Sequence, residues 1–469
     1  MKRIKICKHN QNTVVDKIRN SNFDKVFPSE SNLVDEIILK MYDMGMLNCL
    51  TDSIEDKRAH NTTVPFDLVL ALAISAKMKT NTSLSDVPHA IKDHRVLAKL
   101  GYNLVSTDGD LETGLMSESS LRFLIGKYKA TELFSAYNNT VQNHIMPKLD
   151  IVPNIHILDC TKLCVNFDNY NYEGAGIARD DEGDVSKGYK IGTLRGLYDD
   201  TGLIEEIVFG AMNVHDFELT KEMLLTTPNL KPGDILINDR GFLDREMLNT
   251  LKTKRGVDTY VPLKTNMIAY QTAVTAAQFE NKWEPHPTRE NQKIAFVQNL
   301  KEYWTDRQFE YKKYAVNDKD VDINGVVVWD TKTDNYSVFI TTDMTADAKQ
   351  IIMTYELRPE IEEDYRQLKD FWELEDFKST KSHLIAFHLV MTLFGYLFFQ
   401  IYTMTPEGEK FAHKCLPVIL KNYQTVELPH LIFYAGDEFG ILSIIDFAKL
   451  YASCDILVQE QLDYVFSLS

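Results

Sequence analysis

The period of the apolar residues changes after Pro153, and this change restricts the fold of the 469-residue chain more than any other feature. Ahead of it, from Ser31 to Asp150, apolar side chains recur three and four apart behind capping residues. Ser31 precedes Leu33, Val34, Ile37, Ile38, Met41 and Met44, Pro65 stands where a helix can begin before Leu68 to Met78, and Ser117 opens a run through Leu121, Leu124 and Ile125. Beyond it come short apolar runs of strand length: Ile155 to Leu158, Tyr189 to Leu197, Leu203 to Met212, Ile235 to Ile237 and Thr259 to Leu263. Helical stretches fall between them at Phe217 to Leu225 and Leu243 to Lys254. Strands that alternate with helices predict an α/β sheet.

Thr265 to Asp343 breaks the alternation with strand-like segments at Ile294 to Val297, Phe309 to Val316, Val326 to Trp329 and Tyr336 to Ile340. Asn324-Gly325 is the strongest short hairpin signal in the chain. Helical periodicity returns from Ala346 to Trp372. The expected division is a helical N-terminal domain over 1–150, an α/β core over 151–264 and 344–405, a β-rich insertion over 265–343, and an acidic helical region over 406–469. At roughly 150 residues per domain, the length fits two or three such bodies.

Leu384 to Tyr402 carries no formal charge and is long enough to cross a bilayer, but His388, Thr392, Gly395 and Gln400 interrupt it. A buried core helix is also apolar all round, and these interruptions favour it over a membrane span; no membrane is expected. The start of the chain is basic and lacks an apolar stretch of signal-peptide type, which predicts a cytoplasmic protein. Six scattered cysteines without a C-x-x-C pair predict reduced thiols. With 51 basic and 68 acidic residues the formal charge is −17, so any contact with nucleic acid has to be local; the basic N-terminus is one place for it, as a DNA-contacting arm. The chain has no P-loop, no G-x-G-x-x-G and no G-x-S-x-G.

Two aspartates end predicted strands: Asp159 follows Ile155-His156-Ile157-Leu158, and Asp239 follows Ile235-Leu236-Ile237-Asn238 and precedes Arg240-Gly241-Phe242. Carboxylates at the carboxyl ends of strands stand at the rim where α/β sites form, although Asp also serves there as a turn or cap residue. The late helix adds a third acid. At about 100° per residue, Tyr355, Arg358, Glu362 and Lys369 fall within an arc of roughly 60°, and Arg366 joins them. A solvated charged helix gives the same pattern. Pro359 either interrupts this helix or is its first residue; in the second case Tyr355 and Arg358 belong to the preceding turn.

Further residues have a bland reading beside a functional one. His215-Asp216 either shapes a site or is structural; Lys187 and Lys190 either meet phosphates or lie on an exposed strand edge; Trp304 and Trp329 either stack on a base or pack; Cys160 and Cys164 are read as small buried hydrophobes.

Taken in order, these residues resemble insertion-sequence transposases of the DDE class, in the group whose glutamate motif reads Tyr-x2-Arg-x3-Glu-x6-Lys. Tyr355, Arg358, Glu362 and Lys369 match all four positions, Asp159 resembles the first aspartate, and Asp239 in Asp-Arg-Gly-Phe resembles the second. The resemblance covers about Ile155 to Tyr402. It implies a ribonuclease H-like catalytic core in which Asp159, Asp239 and Glu362 hold two Mg²⁺, with Mn²⁺ able to substitute. It further implies that Arg358 and Lys369, with Tyr355, grip the DNA backbone, and that Arg366 and Arg240 add DNA contacts. The implied activity is DNA transposition: binding terminal inverted repeats, cutting the element's ends and joining them to target DNA, with a homodimer as the working form. A transposase-derived DNA-binding protein without catalysis and a stand-alone metal-dependent nuclease are the competing readings.

Overall fold

The computed structural model describes residues 4–29, 32–58, 64–91, 93–100, 103–106, 116–179, 183–300, 321–422 and 430–467. Ser31, Trp304 and the expected strand Phe309 to Val316 lie outside them. Contacts divide the chain into two units, Val141–Gln367 and Met1–Thr140 with Leu368–Ser469.

Val141–Gln367 is built on one mixed sheet. Its elements are β1 (Ile155–Cys164), β2 (Gly176–Arg179), β3 (Val185–Tyr198), β4 (Thr201–Ala211), α1 (Asp216–Thr226), β5 (Ile235–Asn238), α2 (Arg245–Thr250), β6 (Asp258–Pro262), α3 (Ile268–Glu280), β7 (Glu284–Pro285), β8 (Gln292–Val297), β9 (Asn324–Asp330), β10 (Asn335–Thr341), α4 (Ala348–Tyr355) and α5 (Pro359–Asp370). The strand order is β7-β8-β9-β10-β6-β5-β1-β3-β2, with β4 pairing β3. The β1/β5 and β5/β6 pairs are parallel and the remaining pairs antiparallel. Both faces of the centre are covered, which is why its strands read as continuous apolar runs. Ile157 and Ile237 pack under Ile351, Ile361 and Tyr365 of α4 and α5, while Leu158 and Leu236 pack against Met223, Leu224 and Met247 of α1 and α2.

Several sequence expectations change here. The 265–343 segment contains the helix α3, whose small face (Ala269, Ala273, Ala277) seats closely on Val297, Val327 and Val338. Its strands continue the central sheet, because β10 pairs with β6. Asn324-Gly325 opens β9 and does not form the hairpin turn; the turn lies between β9 and β10, where the Asp330 carboxylate accepts from the Lys332 and Thr333 N–H groups and Asp334 takes φ +56°. Ladder partners on both sides of Gly325, with Asn324 opposite Thr341, outweigh the local turn preference of Asn-Gly.

The other unit is not purely helical at its N-terminus. Ile4–His9, Lys25–Ser29 and Asn103–Ser106 are strands of a five-stranded sheet completed by His430–Ala435 and Glu438–Ser443. From Ile4 on, the basic start, expected as a DNA-contacting arm, contributes Ile4–His9 and Lys25–Ser29 to this sheet, and Lys17 lies 2.9 Å from Glu438 of the acidic C-terminal region. The division therefore differs from the sequence division: Leu368–Ser469 joins the N-terminal residues, and Ser382–Thr403 packs with the helices Phe66–Met78 and Ala130–Thr140. Among the described residues, Ser382–Thr403 is the one helix long and apolar enough to cross a membrane, and it is buried inside this unit.

Candidate active site

Register brings the two aspartates together. β1 and β5 run parallel from Ile155 beside Ile235 to Leu158 beside Asn238, so the next residues of each strand, Asp159 and Asp239, emerge side by side where the ladder stops. Asp159 does not end its strand, as the sequence suggested; β1 continues to Cys164 in antiparallel pairing with β3, with Asp159 opposite Thr193. At Asp239 the chain turns into the single helical turn Arg240–Phe242, yet the Asp239 side chain makes no cap hydrogen bond to it. The capping reading of Asp239 is therefore not the one the structure takes.

Pro359 opens α5, which resolves the sequence ambiguity: Tyr355 ends α4 and Arg358 sits in the turn between the helices. Glu362 lies in the first turn of α5 on its exposed side, while Ile361, Asp364 and Tyr365 are buried on the other. That buried side holds the helix at a fixed height over the sheet. The Tyr365 hydroxyl donates to the Asp159 carbonyl at 2.7 Å, leaving the Thr193 hydroxyl to donate to the Tyr365 oxygen at 2.7 Å. Arg195 of β3 reaches Asp364 at 2.7 Å and Glu360 at 2.9 Å. Its guanidinium lies where a Cβ on residue 202 would sit, so only glycine there leaves it room.

Arg358 links two of the three acids: Nη2 is 3.0 Å from Asp159 Oδ2 and Nη1 is 2.5 Å from Glu362 Oε1. Burial, reinforced by the charges of Asp239 and Glu362, pushes the Asp159 carboxyl up to about 6 despite Arg358 and the Cys160 N–H that donates to its Oδ1 at 2.8 Å. The turn that carries Arg358 is held from the other side, where Glu356 accepts from the Thr288 hydroxyl at 3.0 Å and lies 3.2 Å from Arg289. Tyr355 packs its ring on Phe339, centroids 4.6 Å apart, and burial raises its phenol pKa.

Among the described residues, no three His, Cys, Asp or Glu side chains are gathered tightly enough to hold a metal ion as they stand. The donor set still suits a hard cation. One guanidinium offsets one of three carboxylates that sense each other's charge, and carboxylate oxygens are the ligands Mg²⁺ prefers.

Of the remaining sequence candidates, Arg240 is exposed on the turn after Asp239, and Arg366 is exposed and paired with Glu363 at 2.6 Å. Lys369 falls in the other unit, 3.4 Å from Glu375. Lys187 and Lys190 are buried on an interior strand, not an edge: Lys187 donates to the Asn169 carbonyl at 2.8 Å, and Lys190 lies 2.5 Å from Asp216. His215 caps α1 by accepting from the Phe217 N–H. Trp329 packs with Trp283 and Tyr336. Cys160 is half-buried with its thiol pKa raised by burial, and Cys164 is exposed rather than buried. The sequence reading missed Arg195, Thr193, Glu356 and Tyr365. The available signal was a charged residue, Arg195, within a run otherwise suited to burial.

Residues 179–398 match the family model of the transposase DDE domain. The match supports a DDE-class transposase and spans Asp239 and Glu362, beginning after Asp159. The mixed α/β architecture is consistent with such a domain. No curated protein matches the chain.

Proposed function

We propose that the chain is a DNA transposase of the Tyr-x2-Arg-x3-Glu-x6-Lys group, which binds the ends of its element, cleaves them and joins them to target DNA. The observation that carries the reading is the convergence of Asp159 and Asp239 at the end of one parallel ladder, with Glu362 tied to Asp159 through Arg358. The strand order β4-β3-β1-β5-β6, three antiparallel strands followed by two parallel ones, supports a ribonuclease H-like core.

In this reading Asp159, Asp239 and Glu362 would hold two Mg²⁺, which would supply activation of the attacking oxygen and stabilisation of the leaving oxygen in displacement at phosphorus. Tyr365 and Thr193 fix the β1 backbone at Asp159, and Arg195 fixes the start of α5, so the carboxylates are presented on rigid elements. Arg358 meets the DNA backbone with Tyr355 and Lys369, and Arg240 and Arg366 offer exposed cations to the same strand. A homodimer on paired element ends is the proposed working form. The test is end cleavage by Asp159→Asn, Asp239→Asn and Glu362→Gln: each should lose cleavage and keep end binding, since each removes ligand charge and no DNA contact. Cleavage near the unmodified level in any one of them removes that residue from the site.

A further inference from the structure

The unit formed by Met1–Thr140 and Leu368–Ser469 contains a cavity of about 110 Å³ beside the end of the helix Phe66–Met78. Its polar lining is Lys77, Arg122, Lys378 and His388 with the hydroxyl residues Thr82, Ser83 and Ser379, the Thr82 hydroxyl donating to Asp376 at 2.8 Å. In a chain of formal charge −17, three cations and no carboxylate line this space. Lys77 is the unusual member. It is only 2% exposed, and its ammonium donates to the carbonyls of Asn81 at 3.3 Å and Thr82 at 3.1 Å. Among the described residues it forms no ion pair, whereas Arg122 has Glu118 at 2.7 Å and Lys378 has Asp376 at 2.7 Å.

The buried ammonium has lost its hydration, and although the charges of Asp376 and Asp86 reach it, neither carboxylate pairs with it directly, so an anion placed beside it offsets that loss. Burial lowers the Lys77 pKa to about 8, which still leaves it a cation at neutral pH. His388, also on the wall, is buried and neutral, its pKa lowered to about 3, with its ring Nε2 near the Glu373 and Leu374 carbonyls. The Ser83 and Ser379 hydroxyls and two further cations at the lining are the donors that recognise a tetrahedral oxyanion.

We propose that this cavity is a phosphate site, with Lys77 as its buried anchor and Arg122 and Lys378 flanking it. The phosphate comes either from the backbone of bound DNA, which rests on the transposase reading, or from free phosphate, which does not. The experiment titrates the full-length protein with inorganic phosphate against chloride at matched ionic strength, read as a shift in Tm and as ³¹P line broadening. In parallel, DNA binding is measured over a salt series. The variants are Lys77→Met, which keeps the buried stem, and the surface pair Arg122→Ala with Lys378→Ala, which tests the site if the first variant does not fold. Phosphate should raise the Tm of the unmodified protein, and both variants should lose at least tenfold in phosphate affinity. If the salt slope of log K for DNA also falls by about 1 in Lys77→Met, the occupant is a backbone phosphodiester; an unchanged slope with lost phosphate binding assigns free phosphate. The phosphate arm needs no DNA, so failure of the transposase reading leaves it standing. Phosphate affinity unchanged in folded variants, or no phosphate response in the unmodified protein together with an unchanged slope, overturns the site.

Discussion

Replacing Arg195 with Met should loosen α5 from the sheet without touching any of the three acids. The side chains of Arg195 and Asp364 are 5% and 9% exposed, and their 2.7 Å contact is a buried ion pair. Removing one partner of such a pair leaves the other charge buried without its counter-ion and costs about 3–5 kcal/mol. The second arm, to Glu360, is 39% exposed on the acid side and adds under about 1 kcal/mol. The natural readout is amide hydrogen exchange over Glu362–Gln367, where a loss of that size speeds exchange through local opening by about two to three and a half orders of magnitude. End cleavage should fall with it, because Glu362 rides on the opened turn. Adding Asp364→Leu to Arg195→Met removes the stranded charge and should restore most of the protection, since replacing both members of a buried pair by apolar groups is close to neutral. Exchange accelerated by less than tenfold in Arg195→Met, or a double variant as open as the single one, would refute the anchoring argument.

Two further predictions concern pH and salt. His156 is fully buried on β1, with Nδ1 2.9 Å from Glu205 and Nε2 3.4 Å from Asp234, the latter within ion-pair range but outside hydrogen-bond geometry. Burial disfavours its charge, but the two carboxylates outweigh burial and raise its pKa from the ordinary 6.5 to about 9. Its stabilising effect is therefore fully present below about pH 6.5 and is lost as pH rises through about 9; thermal melts from pH 6 to 10 should show this decline in the unmodified protein and a flatter profile in His156→Gln, and parallel profiles would remove His156 as the cause. Arg358→Ala should lower the salt slope of log K for end binding by about 1, with affinity reduced across DNA sequences. A slope equal to that of the unmodified protein would confine Arg358 to holding Asp159 and Glu362.

The central strands were legible in the sequence because a sheet covered on both faces writes itself as short, continuous apolar runs, as at Ile235 to Ile237. Asp159, Asp239 and Glu362 stood out as candidates because two of them follow such runs and the third falls in a spaced charged helix, and the parallel register then sets the two aspartates side by side. What stayed hidden depends on partners distant in sequence. The strand Ile4–His9 forms only by pairing with Asn103–Ser106 and Glu438–Ser443, and no local period announces that. Asn324-Gly325 read as a turn because its neighbours on β8 and β10 are invisible to a local rule. No feature of the charged helix marks Tyr365, although its hydroxyl is what joins that helix to the backbone of Asp159.

The central claim is that Asp159 meets a catalytic metal ion directly, and exchanging its oxygen for sulfur tests it. Mg²⁺ prefers oxygen ligands and binds thiolate poorly, whereas Mn²⁺ tolerates softer donors. End cleavage by Asp159→Cys should be absent with Mg²⁺ and partly recovered with Mn²⁺, while Asp159→Ala, shown to be folded by circular dichroism, should recover much less. An equal Mn²⁺ response in the Cys and Ala variants would contradict direct ligation by Asp159.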